Sequence, residues 1–213
     1  CNVSATQNYS FAENTSSYTI DKAIGNVSLL LNGVASTLNI NYPQQVNASA
    51  ATLYGSVTLY KEGGDVTSTN ARNVTLGAGY YNYTAVSSGN ANYTAASLTY
   101  FANVSKGNII VTLLLNGAAS NLSVVYLNNV NASASVSGGT LSLYRDGVDI
   151  TGQNAQNNIL GAGYYEYRVN ATGNENYSDN SAGKLFYANV TKATPNASMS
   201  ISLNPSNNED YGT

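Results

Sequence analysis

Apolar and polar residues alternate with a period of two along most of this chain. Val46, Ala48 and Ala50 alternate with Asn47 and Ser49; Leu38 and Ile40 with Asn39 and Asn41; Val57 and Leu59 with Thr58 and Tyr60. Successive side chains of a strand point to opposite faces, so this period predicts half-buried strands in antiparallel sheets. No stretch carries the apolar stripe of a helix. Asn32-Gly33 and Asn116-Gly117 predict tight turns, because both residue types accept positive φ. Glu62-Gly63-Gly64-Asp65 and Asp146-Gly147-Val148-Asp149 predict a further turn in the same way.

The pattern is written twice. LGAGYYNY, Leu76 to Tyr83, returns as LGAGYYEY, Leu160 to Tyr167, at an offset of 84 residues. LLLNG at Leu29 returns at Leu113, and VNASA at Val46 returns at Val130. Near the end the offset becomes 86, since Phe101-Ala102-Asn103-Val104 matches Tyr187-Ala188-Asn189-Val190. Two residues are therefore inserted between Tyr177 and Tyr187, which predicts a loop between the last two strands, where insertions are tolerated. The repeats run over 23–106 and 107–192. Residues 1–22 match the C-terminal strands of a preceding repeat: Asn8 lies 84 before Asn92, and Lys22 lies 84 before Lys106. Residues 193–213 match the N-terminal strands of a following one, because Lys192-Ala193 restarts Lys22-Ala23. These partial ends predict an excerpt of a longer array. The alternative is that dangling strands join subunits by strand addition, although both ends lack the central half of the unit.

About seven short strands per repeat, with turns every 8–12 residues, is the pattern of an immunoglobulin-like sandwich. The expected fold class is all-β, with tandem sandwiches. In such a fold a tyrosine near the start of the sixth strand bonds back to upstream backbone. Alternation turns Tyr81 and Tyr83 inward and Tyr80 and Asn82 outward. The second repeat places Glu166 at the Asn82 position, a change suited to the wet face. Tyr81 and Tyr165 are thus the tyrosine-corner candidates. Tyr83 and Tyr167 fall where antibody domains carry a disulfide cysteine, and would fill that space with a ring.

The units resemble the Ig-like repeats of bacterial and archaeal surface proteins. The mixture NYT, YFANVSKG, LLLNG, VNASA, LSLYRDGVDIT and LGAGYYEY is most similar to archaeal cell-surface arrays. The resemblance covers almost the whole chain, and its motifs are mostly structural. It implies a stalk, an adhesin spacer, an S-layer component or an extracellular fibre.

Composition narrows the chemistry. Charged residues make up 9% of the chain and the net charge is −3, which leaves no basic patch for phosphates and speaks against nucleic acid. The longest apolar run, Ile109 to Leu115, is too short to span a bilayer. With one Cys and no His, an intrachain disulfide, a Cys/His metal site and a His-based triad are all excluded. No enzymatic activity, no metal and no non-covalent cofactor is expected. What abounds is the Asn-X-Ser/Thr acceptor pattern: Asn2, Asn8, Asn14, Asn26, Asn47, Asn73, Asn82, Asn92, Asn103, Asn121, Asn131, Asn170, Asn176, Asn189 and Asn196. Chance supplies about half of these in so Asn-rich a chain. Several recur at equivalent positions, however: Asn8, Asn92 and Asn176; Asn47 and Asn131; Asn103 and Asn189. Alternation also turns Asn47, Asn73, Asn82 and Asn103 to solvent, as a bulky glycan requires. Covalent N-linked glycans and an extracellular or cell-surface location follow as expectations. Sugars would also shield sheet edges that other proteins protect with charge.

Weaker candidates each have a plainer reading. Glu62/Asp65 and Asp146/Asp149 could ligate Ca²⁺, or simply shape a hairpin turn. Lys22, Lys106 and Lys192 could form Lys–Asn isopeptides, or serve as ordinary linker residues. Tyr80, Tyr93, Tyr164 and Tyr177, read as exposed, could stack on surface glycans or on copies of the same chain, or reflect strand propensity alone. Cys1 could carry a lipid, or mark only where the excerpt begins. Partners are neighbouring repeats and copies of the chain, with surface glycans as a further option.

Overall fold

The structure is a computed structural model and describes residues 2–196; Cys1 and most of the expected following repeat lie outside the described residues. The chain opens with a hairpin of β1 (Asn2–Val3) and β2 (Ala12–Glu13), exposed throughout. Its pair Val3↔Ala12 has the register of Ser87↔Ala96 and Ala171↔Asn180 further on, so the same strand pairing is formed three times.

The described chain divides into two compact units. The first takes the chain up to Gly107, together with Glu175–Ser178. It contains β3 (Ser28–Leu31), β4 (Leu38–Asn41), β5 (Gln45–Ala51), β6 (Val57–Lys61), β7 (Gly64–Asp65), β8 (Asn73–Thr75), β9 (Gly79–Ser87) and β10 (Ala96–Ser105). A three-stranded sheet, β3-β5-β8, faces a five-stranded sheet, β4-β10-β9-β6-β7. Strand β4 runs parallel to β10, while the other pairs are antiparallel. Of the residues that alternation turns inward, Leu38, Ile40, Val57 and Tyr81 pack half-buried against the core, while Val46, Ala48, Ala50, Leu59 and Tyr83 are buried in one cluster with Leu29, Leu31, Ala85, Ala102 and Val104. Each large aliphatic side chain so buried contributes about 1.5–3 kcal/mol. Both predicted turns are formed by residues in the left-handed region, Asn32 and Gly33 at φ 49° and 81°, Glu62 and Gly63 at φ 51° and 78°.

The second unit takes Asn108–Asn174 and the chain from Asp179 onward. Its elements follow the short β11 (Gly107–Asn108): β12 (Val111–Leu115), β13 (Leu122–Val125), β14 (Asn129–Val136), β15 (Thr140–Arg145), β16 (Val148–Asp149), β17 (Asn157–Ile159) and β18 (Gly163–Thr172). After β19 (Tyr177–Ser178), which counts with the first unit, β20 (Asn180–Thr191) completes it. The sheets are β12-β14-β17 and β13-β20-β18-β15-β16, the same plan as before. Both units are thus immunoglobulin-like β-sandwiches of eight strands, three facing five, and the chain is all-β.

One expectation is corrected here. The two inserted residues do not extend a loop between the last strands. Ala171 pairs with Asn180 but Val169 pairs with Lys184, so one residue of β18 faces three of β20. The insertion is a bulge inside β20. Gly183 makes it possible, at φ 60°, with its α-carbon so close to the Val169 carbonyl that a Cβ would collide.

Asparagines also build the sheets. Asn70, just after the 3-10 turn Thr67–Thr69, accepts from the Ala50 amide (2.8 Å) and donates to the Ala50 carbonyl (2.9 Å). Asn154 does the same with Ala134, at 2.8 and 2.9 Å. The side-chain amide has the donor and acceptor of a peptide group, so it pairs with the strand edge as a further strand would.

Candidate functional site

The LGAGYYNY segment places three tyrosines, Tyr80, Tyr81 and Tyr83, on two faces of β9. Tyr81 donates its hydroxyl to the carbonyl of Gly77 at 3.1 Å, and Tyr165 donates to Gly161 at 3.0 Å. These are backbone groups four residues upstream, the geometry of a tyrosine corner. The turn is close: the Tyr81 hydroxyl lies 3.2 Å from where a Gly79 Cβ would stand. Tyr83 and Tyr167 are buried, and burial raises the pKa of each phenol. Tyr80 and Tyr164 point the other way and are 61% and 64% exposed.

The turn carboxylates are occupied by backbone donors. Asp65 accepts from the Thr67 amide at 2.9 Å and Asp149 from the Thr151 amide at 2.8 Å. Hydrogen bonds from the side chain and backbone of Thr67 hold Asp65 below the usual carboxylate range, and the backbone and side chain of Thr151 do so for Asp149. Glu62 accepts from the Asn82 amide (2.6 Å) and Asp146 from the Glu166 amide (2.8 Å). Among the described residues no group of three or more acidic, Cys or His side chains could hold a metal ion. Lys22, Lys106 and Lys192 are exposed.

The acceptor asparagines differ in what their side-chain amides already do. Asn2, Asn8, Asn14, Asn26, Asn73, Asn92, Asn121, Asn189 and Asn196 are exposed, whereas Asn47, Asn82, Asn103, Asn131, Asn170 and Asn176 are half-buried. A glycan replaces one hydrogen on Nδ2, so bonds made by that nitrogen matter. Asn131 donates from Nδ2 to the Ala155 carbonyl and to Asn157 Oδ1, both at 3.0 Å, which uses both hydrogens. Asn47 donates once, to Asn73 Oδ1 at 3.0 Å, and Asn103 once, to Asn39 Oδ1 at 3.1 Å. Asn26, Asn82, Asn121 and Asn176 are held through Oδ1, which accepts from the amides of Leu53, Glu62, Tyr187 and Ala78 at 3.2, 3.0, 3.0 and 2.8 Å.

Two of the four tyrosines expected at the surface are engaged within the first unit instead. Tyr93 stacks on Tyr54, with centroids 3.7 Å apart, and Tyr177 meets Tyr42 edge-on at 5.1 Å. Both are half-buried. The linker backbone draws these residues in: Ala23 donates to the Asn92 carbonyl at 2.9 Å, and its counterpart Gly107 to Asn176 at 3.0 Å. Alternation cannot register such contacts, because Tyr42, Tyr54 and Tyr93 lie outside the strands and Tyr177 in a strand of only two residues.

Tyr80 and Tyr164 each belong to an outward pair of rings on the five-stranded sheet. Tyr80 stacks with Phe101 at 5.1 Å and 18°, and Tyr164 with Tyr187 at 5.0 Å and 22°. Directly across the strands, Tyr80 faces Asn103 and Tyr164 faces Asn189. Phe101 and Tyr187 stand two residues before those asparagines, on the same face. The sequence gives no direct signal of this grouping, because it depends on the register between β9 and β10 and between β18 and β20.

No protein-family model matches the chain, and no curated protein matches it. Among solved structures it is similar to fibronectin(III)-like modules of CbhA from Clostridium thermocellum, at 17% identity over 77% of this chain and 94% of that one, with a TM-score of 0.29. It is also similar to a pair of titin domains in complex with telethonin, at 15% identity over 82% of this chain and 100% of that one, TM-score 0.42. Drosophila N-cadherin EC1-4 matches at 13% identity over 81% of this chain and 50% of that one, TM-score 0.33. Likeness at this level carries no function across.

Proposed function

We propose that the chain is a structural segment of an extracellular, N-glycosylated array of Ig-like sandwiches that forms a surface fibre, stalk or filament. The observation that carries this reading is reiteration at the level of single hydrogen bonds. The tyrosine hydroxyl to glycine, the asparagine side chain pairing with a strand edge, and the turn carboxylate accepting from threonine each recur in the second unit at the offset of 84 residues. A unit specified in such detail and then repeated is suited to extension by addition, with each sandwich folding around its own core. Copies of the same chain are the proposed partners. The low charge and the exposed acceptor asparagines support a glycan coat as the source of solubility and protease resistance.

A second reading, an adhesin binding module or S-layer component, draws on the outward ring pairs, which could receive a partner's sugar. One experiment separates the two. Native material is imaged by electron microscopy, and its peptides are weighed for glycans. Filaments with sugar at Asn92, Asn103 and Asn189 are expected. Bare peptides would remove the glycoprotein part, and uniform monomers without lateral contacts would remove the fibre.

A further inference from the structure

We propose that Asn103 and Asn189 carry glycans whose innermost sugar is seated on the neighbouring ring pair, Phe101 with Tyr80 in the first sandwich and Tyr187 with Tyr164 in the second. The proposal rests on the glycoprotein reading and goes beyond it by giving the sugar a docking site on its own sheet.

Register carries the argument. Asn103 pairs directly with Tyr80, and Asn189 with Tyr164. Side chains so paired stand with Cβ atoms about 4.5–5.5 Å apart. Phe101 and Tyr187, two residues before the asparagine, project from the same face about 7 Å along the strand. A pyranose linked to Nδ2 therefore has a ring on two sides. The rings of each pair stack nearly parallel, at 18° and 22°, so each ring keeps one face that its partner does not cover. The tyrosines stand open, with Tyr80 61% and Tyr164 64% exposed. A pyranose offers a face of C–H groups carrying slight positive charge, and the aromatic face is negative, so the two are complementary.

The amide chemistry permits the attachment. Asn103 spends one Nδ2 hydrogen on Asn39 Oδ1 at 3.1 Å, which leaves the other for the glycosidic bond. Asn189 is exposed and faces Ser123. Transfer from a glycosyl pyrophosphate donor by a separate transferase breaks the C1–O bond to phosphate and forms C1–Nδ2. The displaced amide proton leaves with the pyrophosphate. Asn131, with both hydrogens engaged, marks the contrast.

The second sandwich adds an independent point. Its insertion is absorbed in the bulge before Lys184, so the register from Lys184 to Val190 brings Asn189 opposite Tyr164, as Asn103 is opposite Tyr80. Phe101 becomes Tyr187 and the ring is kept, although the asparagine on β9 beside it, Asn82, becomes Glu166. Asn82 has a mirrored placement, opposite Phe101 and two residues after Tyr80, in the first sandwich alone. Asn189 is thus the cleaner position to test.

The full chain is made in a glycosylating host and Asn189 occupancy is measured by glycopeptide mass. Melting is then compared for glycosylated chain and Asn189→Gln, each with Tyr187 and with Tyr187→Ser. The sugar is expected to raise the transition of the second sandwich by about 2–8 °C beside the ring and by about zero without it. Tyr187→Phe should keep the gain. Equal gains with and without the ring, at an occupied site, would overturn the docking while leaving the glycoprotein reading intact. An unoccupied Asn189 overturns docking and glycosylation there together. Should Tyr187→Ser fail to fold, ring-current shifts of the innermost sugar's protons in the unaltered chain decide instead: an upfield shift supports the seat, and free-sugar positions reject it.

Discussion

One residue type does three jobs within four positions. Tyr80 offers its ring to solvent, Tyr81 ties its hydroxyl to Gly77, and Tyr83 fills the core. The pleat separates Tyr80 from the other two, since neighbours on a strand face opposite ways, and position along the strand separates Tyr81, within reach of the Gly77 carbonyl, from Tyr83. Burial gives Tyr83 and Tyr167 a testable signature, because desolvation penalises the phenolate and raises both pKa values above the ordinary 10.0. A phenol whose folded pKa exceeds its unfolded one contributes stability that is whole below the unfolded value and is lost as pH rises through the folded value. Urea midpoints should therefore stay level to about pH 9 and fall above about pH 10. Tyr83→Phe with Tyr167→Phe should flatten that fall, since the replaced ring cannot ionise. An unchanged alkaline limb in the double variant would assign it to other groups.

At the scale of elements, the alternation of apolar and polar residues made β4, β5, β6 and β9 legible, because burial on one face is what the period of two records. Asn32-Gly33 and Asp146-Gly147 were equally plain, since positive φ favours those residue types. The bulge in β20 was not. An added pair of residues reads alike whether it lengthens a loop or buckles a strand, and Gly183 shows its purpose only against the Val169 carbonyl. Asparagine was the harder case. Composition shows how many there are, but an Asn that bonds a strand edge and an Asn that could accept a sugar are the same letter. Asn70 belongs to the first kind, and its removal is informative. Asn70→Ala leaves the amide and carbonyl of buried Ala50 without their partner, a loss of about 2 kcal/mol or more, as each orphaned buried group costs about 1–3. Asn154→Ala should match it in the second sandwich. Chemical denaturation measures both, and a cost below about 0.5 kcal/mol would mean that water replaces the side chain without penalty.

At the scale of the molecule, the question is whether the two sandwiches are separate folding units or one. Each encloses its own cluster of buried residues, centred on Leu59 in the first and on its counterpart Leu143 in the second, both with no exposed surface. An array that grows by reiteration requires that a defect in one unit stay there, because otherwise its stability would depend on its length. Truncating a core leucine costs about 2–5 kcal/mol, through lost transfer energy and the cavity left behind. In the full chain, Leu59→Ala should therefore speed hydrogen exchange at the amides of β9 and β10 by about 30-fold or more, at about tenfold for each 1.4 kcal/mol. The amides of β18 and β20 should keep their rates. Leu143→Ala should reverse the pattern. Equal acceleration in both units from either substitution would show a single cooperative structure. The repeating unit would then be the pair of sandwiches, and the 84-residue period would describe the sequence without describing how stability is divided.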